Sequence, residues 1–221
     1  MIQGQLDDFS GEKLPLMEEE VKALLEAYER HRPLIKAFLA QARSREDEHL
    51  VTELMFCLQT AQSPARNARQ TMDRLKGKGI LFTANPEQVI ECMEGVRFAD
   101  KKAQYMFKAR QKLHLIKEQL GMPPQQLREW LVESIDGMGM KLASHYMRNI
   151  GIGGLAILDV HVQNWMARNG MLKGEVGKLN TKQYLENERT YLQLAKQLGI
   201  PPEELDIALW MLGNGSGEFY G

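Results

Sequence analysis

The sequence predicts an all-α protein, and three observations support this fold class. Apolar residues recur at helical spacing, for example in EEEVKALLEAYERHR, where Val21, Leu24, Leu25 and Tyr28 lie along one face. Runs that alternate between apolar and polar side chains are missing, so strand signals are scarce. Glycine and proline mark the ends of many periodic segments. Together these patterns predict roughly ten helices.

The helix boundaries follow from short local signals. After the helix EDEHLVTELMFCLQTA, Ser63 and Pro64 predict a cap followed by a proline at the first helical position, and Asn85 and Pro86 repeat this signal. The segment DKKAQYMFKARQKLHLIKEQL predicts one long helix that ends at Gly121. The sequences GMPP and GIPP each end one helix and begin another, and ELDIALWML predicts the last helix.

The composition is that of an ordinary globular protein and narrows its class. The 221 residues are 43% hydrophobic and 26% charged, and no apolar run reaches the length of a transmembrane helix. Cys57 and Cys92 are too few for a disulfide framework or a four-cysteine metal site. The net charge of -1 excludes a protein that coats nucleic acid through bulk positive charge. DNA binding would therefore depend on a local patch and on backbone groups.

A glycine-rich turn precedes a lysine in the segment IDGMGMK. Gly137 and Gly139 permit positive φ and close backbone approach, and a helix is predicted to begin near Lys141. The N–H groups of such a turn can hold a phosphate; the alternative is a plain turn between helices with a glycine cap. A lysine is disfavoured in the first turn because the helix N-terminus carries partial positive charge, and this placement indicates a site that keeps the amine uncharged.

Asp159 stands where the next predicted helix, VHVQNWMARNG, begins. Aspartate is a common N-cap, so capping is one role for this carboxylate. The helix from Met140 to Ile150 would be about 15 Å long at a rise of about 1.5 Å per residue. A return loop would then bring Asp159 back near Lys141, which predicts a catalytic role as the second possibility.

The motifs GMGMK, ASHYMRNIG and AILDVHV resemble the helix-hairpin-helix superfamily of DNA glycosylases. Within it, the chain is similar to the type-2 branch of 8-oxoguanine DNA glycosylase/AP lyases, found mainly in archaea and some bacteria. The stretches FCLQTAQSPA, RFADKKAQYMFKAR and LDIALWML support that branch, and the resemblance extends from about Glu46 to the C-terminus. It implies two helical lobes, residues 46–158 and residues 1–45 with 159–221, and an active site in the cleft between them.

The resemblance implies roles for the lysine and the aspartate. Lys141 would attack the sugar C1′ as the base leaves, form a Schiff base and lead to β-elimination. This chemistry requires a neutral amine, and burial and the helix N-terminus both favour loss of the proton. Asp159 would stay ionised, stabilise the positive charge that develops on the sugar and assist proton transfer.

The resemblance also implies residues that handle the flipped base. Gln62 matches the wedge position, with a plain polar loop residue as the alternative. Phe98 and Trp210 match the aromatic residues that sandwich the base, with core packing as the alternative. In this branch a C-terminal residue, typically lysine, reaches the base, and Gly221 occupies that place. His145, four residues after Lys141, would either support the reacting residues from behind or simply be a buried histidine.

Partners, cofactors and location follow in the same way. The expected partner is double-stranded DNA with an oxidised base, bound by a monomer without a cofactor or a side-chain metal site; hairpin carbonyls could hold a monovalent cation, as in relatives. Four basic residues, Lys101, Lys102, Arg110 and Lys112, predict a solvated face. The start MIQGQLDDFSGEK lacks the regions of a signal peptide, so a cytoplasmic, nucleoid-associated location in a prokaryote is expected.

Three functions remain open on the sequence. The first is a bifunctional glycosylase/lyase for 8-oxoguanine. The second is a glycosylase for a different damaged base that uses the same chemistry. The third is a non-enzymatic helix-hairpin-helix module that binds DNA phosphate, and the presence of both Lys141 and Asp159 argues against it.

Overall fold

A computed structural model of the protein describes residues 13–214, and all regular secondary structure within that range is helical. The prediction of an all-α protein is therefore confirmed for this part of the chain. The eleven helices, in chain order, are α1 (Glu18–Gln41), α2 (Asp47–Thr60), α3 (Ala65–Gly77), α4 (Pro86–Cys92), α5 (Ala99–Gln111), α6 (Leu113–Gln119), α7 (Pro124–Ser134), α8 (Met140–Asn149), α9 (Val160–Arg168), α10 (Thr181–Leu198) and α11 (Pro202–Asn214).

The described residues divide into two compact units. One unit contains residues 13–35 and 158–214, and the other contains residues 36–157. We call them the terminal unit and the central unit. None of the helices in the described range combines the length and apolarity that a bilayer span requires.

The central unit is built around α2. Every residue of this helix from Leu50 to Gln59 is buried, because apolar side chains surround the helix instead of forming one stripe. Helices α3, α5, α6 and α8 pack against α2, and α7 packs against α8. The result is a continuous apolar core from Leu50 to Leu155 that supports the glycine turn between α7 and α8.

The terminal unit combines the first part of α1 with α9, α10 and α11. Asn180 begins α10 with a capping box, and Gly199, at φ 67°, ends it. Tyr28 on α1 donates a 2.7 Å hydrogen bond to Glu204 on α11. Burial and this bond raise the pKa of the Tyr28 hydroxyl to about 12. The long-range bond thus joins elements that are far apart in sequence.

Two predicted helix boundaries are wrong, and one is confirmed. Ser63 does not cap α3; Pro64 is the N-cap, and the Ser63 hydroxyl accepts a 2.9 Å hydrogen bond from the Arg97 N–H instead. The predicted long helix is divided into α5 and α6 at Lys112, whose ammonium donates to the Ser134 carbonyl at 2.5 Å. By contrast, Asn85 caps α4 with a capping box, as predicted.

Candidate active site

Lys141 lies in the first turn of α8, directly after the glycine turn. Gly139 is the N-cap of α8 and has extended backbone. As a glycine it has no side chain to cap the first N–H groups of the helix. Lys141 is half-buried, whereas Leu142 to Asn149 are all buried. Burial raises the pKa of the Cys57 thiol on α2, and a protonated Lys141 would oppose that rise. The lysine thus sits at the edge of the central core, within electrostatic reach of a buried residue of α2.

The turn before α8 is shaped by Gly137. This glycine has φ 80°, and a Cβ added to it would lie 2.3 Å from Cδ2 of Tyr105 on α5. Both the backbone conformation and the neighbouring ring therefore require glycine. Ile135 and Met138 are buried, while Gly137 and Gly139 are exposed. The apolar residues anchor the turn, and its glycine backbone faces the solvent, where a phosphate can approach.

Helix α5 holds the same turn by charge. Lys108 forms a 3.0 Å ion pair with Asp136, which is next to Gly137. The hydrogen bond and charge of Lys108 hold the pKa of the Asp136 carboxyl below its usual range. The pair is about half exposed, so its main effect is to orient the turn, with little gain in stability.

A buried polar network fixes the other end of α8. The Glu53 carboxylate on α2 pairs with both terminal nitrogens of Arg69 on α3, at 2.8 and 3.3 Å. It also accepts a 2.7 Å hydrogen bond from Asn149, whose own Oδ1 accepts from Arg148. Removing one member of such a network leaves an uncompensated buried charge, at a cost of about 3–5 kcal/mol. The helix that carries Lys141 is therefore held against α2, and α2 is held in turn by α3.

Two side chains satisfy the C-terminus of α8. Arg45 donates to the Ile150 carbonyl, and His49 Nε2 donates to the Asn149 carbonyl at 3.0 Å. Positive charge is favourable at a helix C-terminus because the last carbonyls carry partial negative charge. Neither residue was singled out in the sequence, since both lie about 100 residues away along the chain.

His145 is buried one turn after Lys141 on α8. Its ring packs edge-on against Phe56 of α2, with the ring centroids 5.8 Å apart. The structure thus places His145 on the same helix face as Lys141, with its ring in the core. The contact with Phe56 suits a residue that keeps α8 in position.

Gln62 and Phe98, which are far apart in sequence, belong to two adjoining segments of the central unit. Gln62 lies in the loop after α2, and Phe98 is the N-cap of α5. Both are exposed and both have left-handed backbone, with φ 56° and 59°. The Ser63 hydroxyl connects the two segments through the Arg97 N–H. Gln62, the predicted wedge, and Phe98, one of the predicted aromatic contacts, thus both have solvent-exposed side chains.

The prediction of a solvated basic face is wrong for three of its four residues. Lys102 is buried and donates hydrogen bonds to three oxygens. Arg110 donates to the carbonyls of Leu81 and Ala84 at 3.0 and 2.8 Å. Lys112 donates to the Ser134 carbonyl. Only Lys101 is exposed. A signal was available for Lys102, because it lies four and seven residues before Met106 and Ala109, on the buried face of α5.

Asp159 begins α9 in the terminal unit. Its Oδ1 accepts a 2.8 Å hydrogen bond from the Val162 N–H, so the predicted N-cap is present. The residue is half-buried, and Gln163 one turn later donates to the Leu158 carbonyl at 2.6 Å. The carboxylate is thus fixed in direction by the first turn of α9, and its second oxygen is not used by the cap.

Trp210 lies on α11 of the same unit, against α9. Its ring packs edge-on against the ring of His161, with the centroids 6.1 Å apart, and His161 lies two residues after Asp159 in the chain. A Cβ added to Gly213 would lie 2.6 Å from His161 Nδ1, so α11 approaches α9 closely at this point. The structure therefore brings Trp210 near the start of α9, where Asp159 lies. Trp210 itself is half-buried.

Two further expectations concern the C-terminus and metal. Gly221, the residue in place of the usual terminal lysine, lies outside the described residues. Between residues 13 and 214, histidine, cysteine and acidic side chains form no cluster of three that could hold a metal ion.

Comparisons with known proteins identify the family. A family model described as 8-oxoguanine DNA glycosylase matches residues 32–200. The chain is 33% identical over 176 residues to an 8-oxoguanine DNA glycosylase/AP lyase of Korarchaeum cryptofilum, covering 78% of this chain and 84% of that one.

Two solved structures agree with this result. The 8-oxoguanine DNA glycosylase of Thermotoga maritima matches with a TM-score of 0.80 and 32% identity, over 91% of this chain and 99% of that one. The Methanocaldococcus jannaschii 8-oxoguanine glycosylase/lyase, in complex with 15mer DNA containing 8-oxoguanine, matches with a TM-score of 0.81 and 26% identity, over 90% and 99%. The chain thus has the helix-hairpin-helix glycosylase fold of these structures, and it belongs to the 8-oxoguanine DNA glycosylase family.

Proposed function

We propose that the protein is a bifunctional base-excision repair enzyme that removes 8-oxoguanine from double-stranded DNA and then cleaves the strand at the abasic site. The observation that carries this proposal is Lys141, which is half-buried in the first turn of α8 behind a glycine hairpin, in a chain of this family. Because a helix N-terminus disfavours a cation, this location favours the neutral amine that a nucleophile requires.

Lys141 is the proposed nucleophile in both steps. Its Nζ attacks C1′ of the damaged nucleotide, and the N-glycosidic bond breaks as the base leaves with the bonding electron pair and takes up a proton. Opening of the sugar ring gives a Schiff base between Nζ and C1′. Loss of a proton from C2′ then breaks the bond from C3′ to its oxygen, which cleaves the strand, and water releases the lysine.

Asp159 is the proposed acid–base and electrostatic residue. Its carboxylate is oriented by the hydrogen bond from the Val162 N–H at the first turn of α9. An ionised carboxylate stabilises the positive charge that develops on the sugar and can take up and return protons during Schiff-base formation.

The damaged base must leave the stack before Lys141 can reach its sugar. We assign Gln62 to the space that the base vacates, because its side chain is exposed on a loop held by α5. Phe98 is 59% exposed, the highest value among the large hydrophobic residues of the described range, and this supports a role as a stacking face for the extruded base. Trp210 would be the second aromatic contact.

Backbone contacts would hold the DNA. The exposed glycines at positions 137 and 139 let a phosphate approach the N–H groups at the start of α8. This mode suits a chain with a net charge of -1. We further propose that the enzyme works as a monomer on cellular DNA in the cytoplasm of a prokaryote.

Borohydride trapping tests the lysine and the substrate together. Duplex DNA with one 8-oxoguanine should give a covalent adduct with the wild type and none with Lys141→Gln. Lys117→Gln is the matched control, because Lys117 is an exposed lysine on α6 that pairs with Asp47. Trapping retained by Lys141→Gln would remove Lys141 as the nucleophile. An adduct formed on abasic DNA but never on 8-oxoguanine would favour a glycosylase for a different base.

A further inference from the structure

The ammonium group of Lys102 is fully used inside the central unit. Lys102 lies in the first turn of α5 and is 5% exposed. Its Nζ donates to the carbonyls of Gln59 and Ala61 at 2.7 and 2.6 Å and to the Ser63 hydroxyl at 2.9 Å. An ammonium has three donors, so each has one oxygen. A side chain with this number of short contacts is built to hold one conformation.

All three oxygens belong to the end of α2 and the loop that follows. The last carbonyls of a helix carry partial negative charge and favour a cation, but the last turn of α2 contains no basic residue of its own. Lys102 supplies that cation from α5, about 40 residues later in the chain. Lys102 therefore caps the C-terminus of α2 and links the loop that follows α2 to the start of α5.

The segments that Lys102 joins carry two strained residues. Gln62 and Phe98 are the non-glycine residues with positive φ in the described range, at 56° and 59°. Left-handed backbone is unfavourable for such side chains and persists only where the surroundings hold it. The Ser63 hydroxyl accepts hydrogen bonds from both Lys102 and the Arg97 N–H, so it connects the two positions directly. The hydrogen bonds that meet at the Ser63 hydroxyl thus help to maintain the left-handed backbone at both Gln62 and Phe98.

We infer that Lys102 is a positioning residue for base extrusion, and that it holds two side chains as one preorganised element: Gln62, which enters the DNA stack, and Phe98, which stacks on the extruded base. The inference rests on the proposed function. In this inference Lys102 acts through Gln62 and Phe98, without taking part in the chemistry of Lys141. Holding both side chains in place before binding avoids the entropy cost of ordering the loop on the DNA.

The consequence depends on the state of the DNA. An intact pair must be unstacked, whereas an abasic nucleotide has no base to extrude. Loss of Lys102 should therefore slow excision from a paired duplex and leave strand cleavage at a preformed abasic site almost unchanged. A substitution that merely reduced the folded fraction would lower both rates equally.

The test compares Lys102→Met with the wild type and with Lys117→Met. Single-turnover excision of 8-oxoguanine paired with cytosine should fall by roughly ten- to a hundredfold in Lys102→Met, because unstacking involves a barrier of a few kcal/mol. Cleavage of preformed abasic DNA should stay within about threefold, and the deficit should shrink when the base opposite the lesion is removed. Equal deficits on all three substrates, or no deficit, would overturn the inference.

A readout independent of excision separates this inference from the proposed function. 2-Aminopurine beside an abasic analogue should brighten when the wild type or Lys117→Met binds, and much less with Lys102→Met. An equal increase with Lys102→Met would overturn the inference even if the wild type excised no 8-oxoguanine. If Lys102→Met does not fold, Ser63→Ala, which removes one of the three oxygens, should show the same substrate pattern with a smaller deficit; a uniform loss would count against the inference.

Discussion

Asp159→Asn separates the two roles that one carboxylate can have at the start of α9. In the structure Oδ1 accepts the Val162 N–H at 2.8 Å, and the amide oxygen of asparagine can accept the same bond. Asparagine and aspartate are similar as N-caps. The substitution therefore keeps the cap and removes the charge and the capacity to take up a proton.

The two effects differ in size. Losing a carboxylate from a helix N-terminus while keeping the cap costs about 0.3–1 kcal/mol of stability. For a chain of this length that is a fall in Tm of roughly 1–4 °C. A residue that stabilises charge and transfers protons contributes about 10²–10⁴-fold in rate, or about 3–5 kcal/mol of activation free energy. The loss of excision should therefore far exceed the loss of stability.

Three measurements on Asp159→Asn decide the matter: Tm, DNA affinity, and the single-turnover rate of 8-oxoguanine excision with enzyme in excess. We expect a small change in Tm, little change in affinity and an excision rate lowered at least about a hundredfold. Asn180→Ala is the matched control. Asn180 caps α10 in the same unit by accepting from the Gln183 N–H at 2.9 Å, so its removal should cost about 1 kcal/mol of stability without slowing excision.

The reasoning has two points of failure. An excision rate within about threefold of the wild type would show that Asp159 is a cap alone. A loss of stability well above that of Asn180→Ala would show that asparagine does not replace aspartate as the cap, and the rate would then carry no mechanistic meaning.

Two further predictions concern the central unit. Gly137→Ala should lower the free energy of unfolding by roughly 2–4 kcal/mol, because the residue has φ 80° and the added Cβ would lie 2.3 Å from Tyr105. The control Gly139→Ala, at φ -97° with open space around the added Cβ, should change it by less than about 0.5 kcal/mol. Equal losses for the two variants in urea denaturation would contradict this prediction. Burial, followed by Arg97, lowers the pKa of Lys102 from 10.5 to about 8, so the unfolded chain binds more protons between these pH values. The unfolding free energy of the wild type relative to Lys102→Met should therefore rise with pH from about 8 to 10.5, by at most about 1.4 kcal/mol per pH unit, and a fall in urea denaturation across this window would refute the assignment.

Local signals were enough for most of the helices. The capping box at Asn85 and the glycine end of α10 at Gly199 depend on hydrogen bonds between residues a few positions apart, which a sequence pattern can report. The turn from Gly137 to Gly139 was visible for the same reason. The position of Lys141 in the first turn of α8 follows directly from that turn.

Long-range hydrogen bonds account for the predictions that failed. Ser63 has the sequence of a cap, but its hydroxyl is used by Arg97 and Lys102, 34 and 39 residues away. The break at Lys112 has no proline or glycine to mark it, and the lysine reaches Ser134 across 22 residues. A local pattern carries no information about such partners.

The sequence by itself determined most of the helices, the glycine turn and the type and spacing of the residues proposed for the chemistry. These depend on backbone preference and on contacts within one or two turns. Only the tertiary structure decided which charged residues are buried, for example Lys102 beneath the Gln62 loop and Glu53 beneath α8. The physical reason is that a buried charge is tolerated only where several polar groups surround it, and folding brings those groups together from distant parts of the chain.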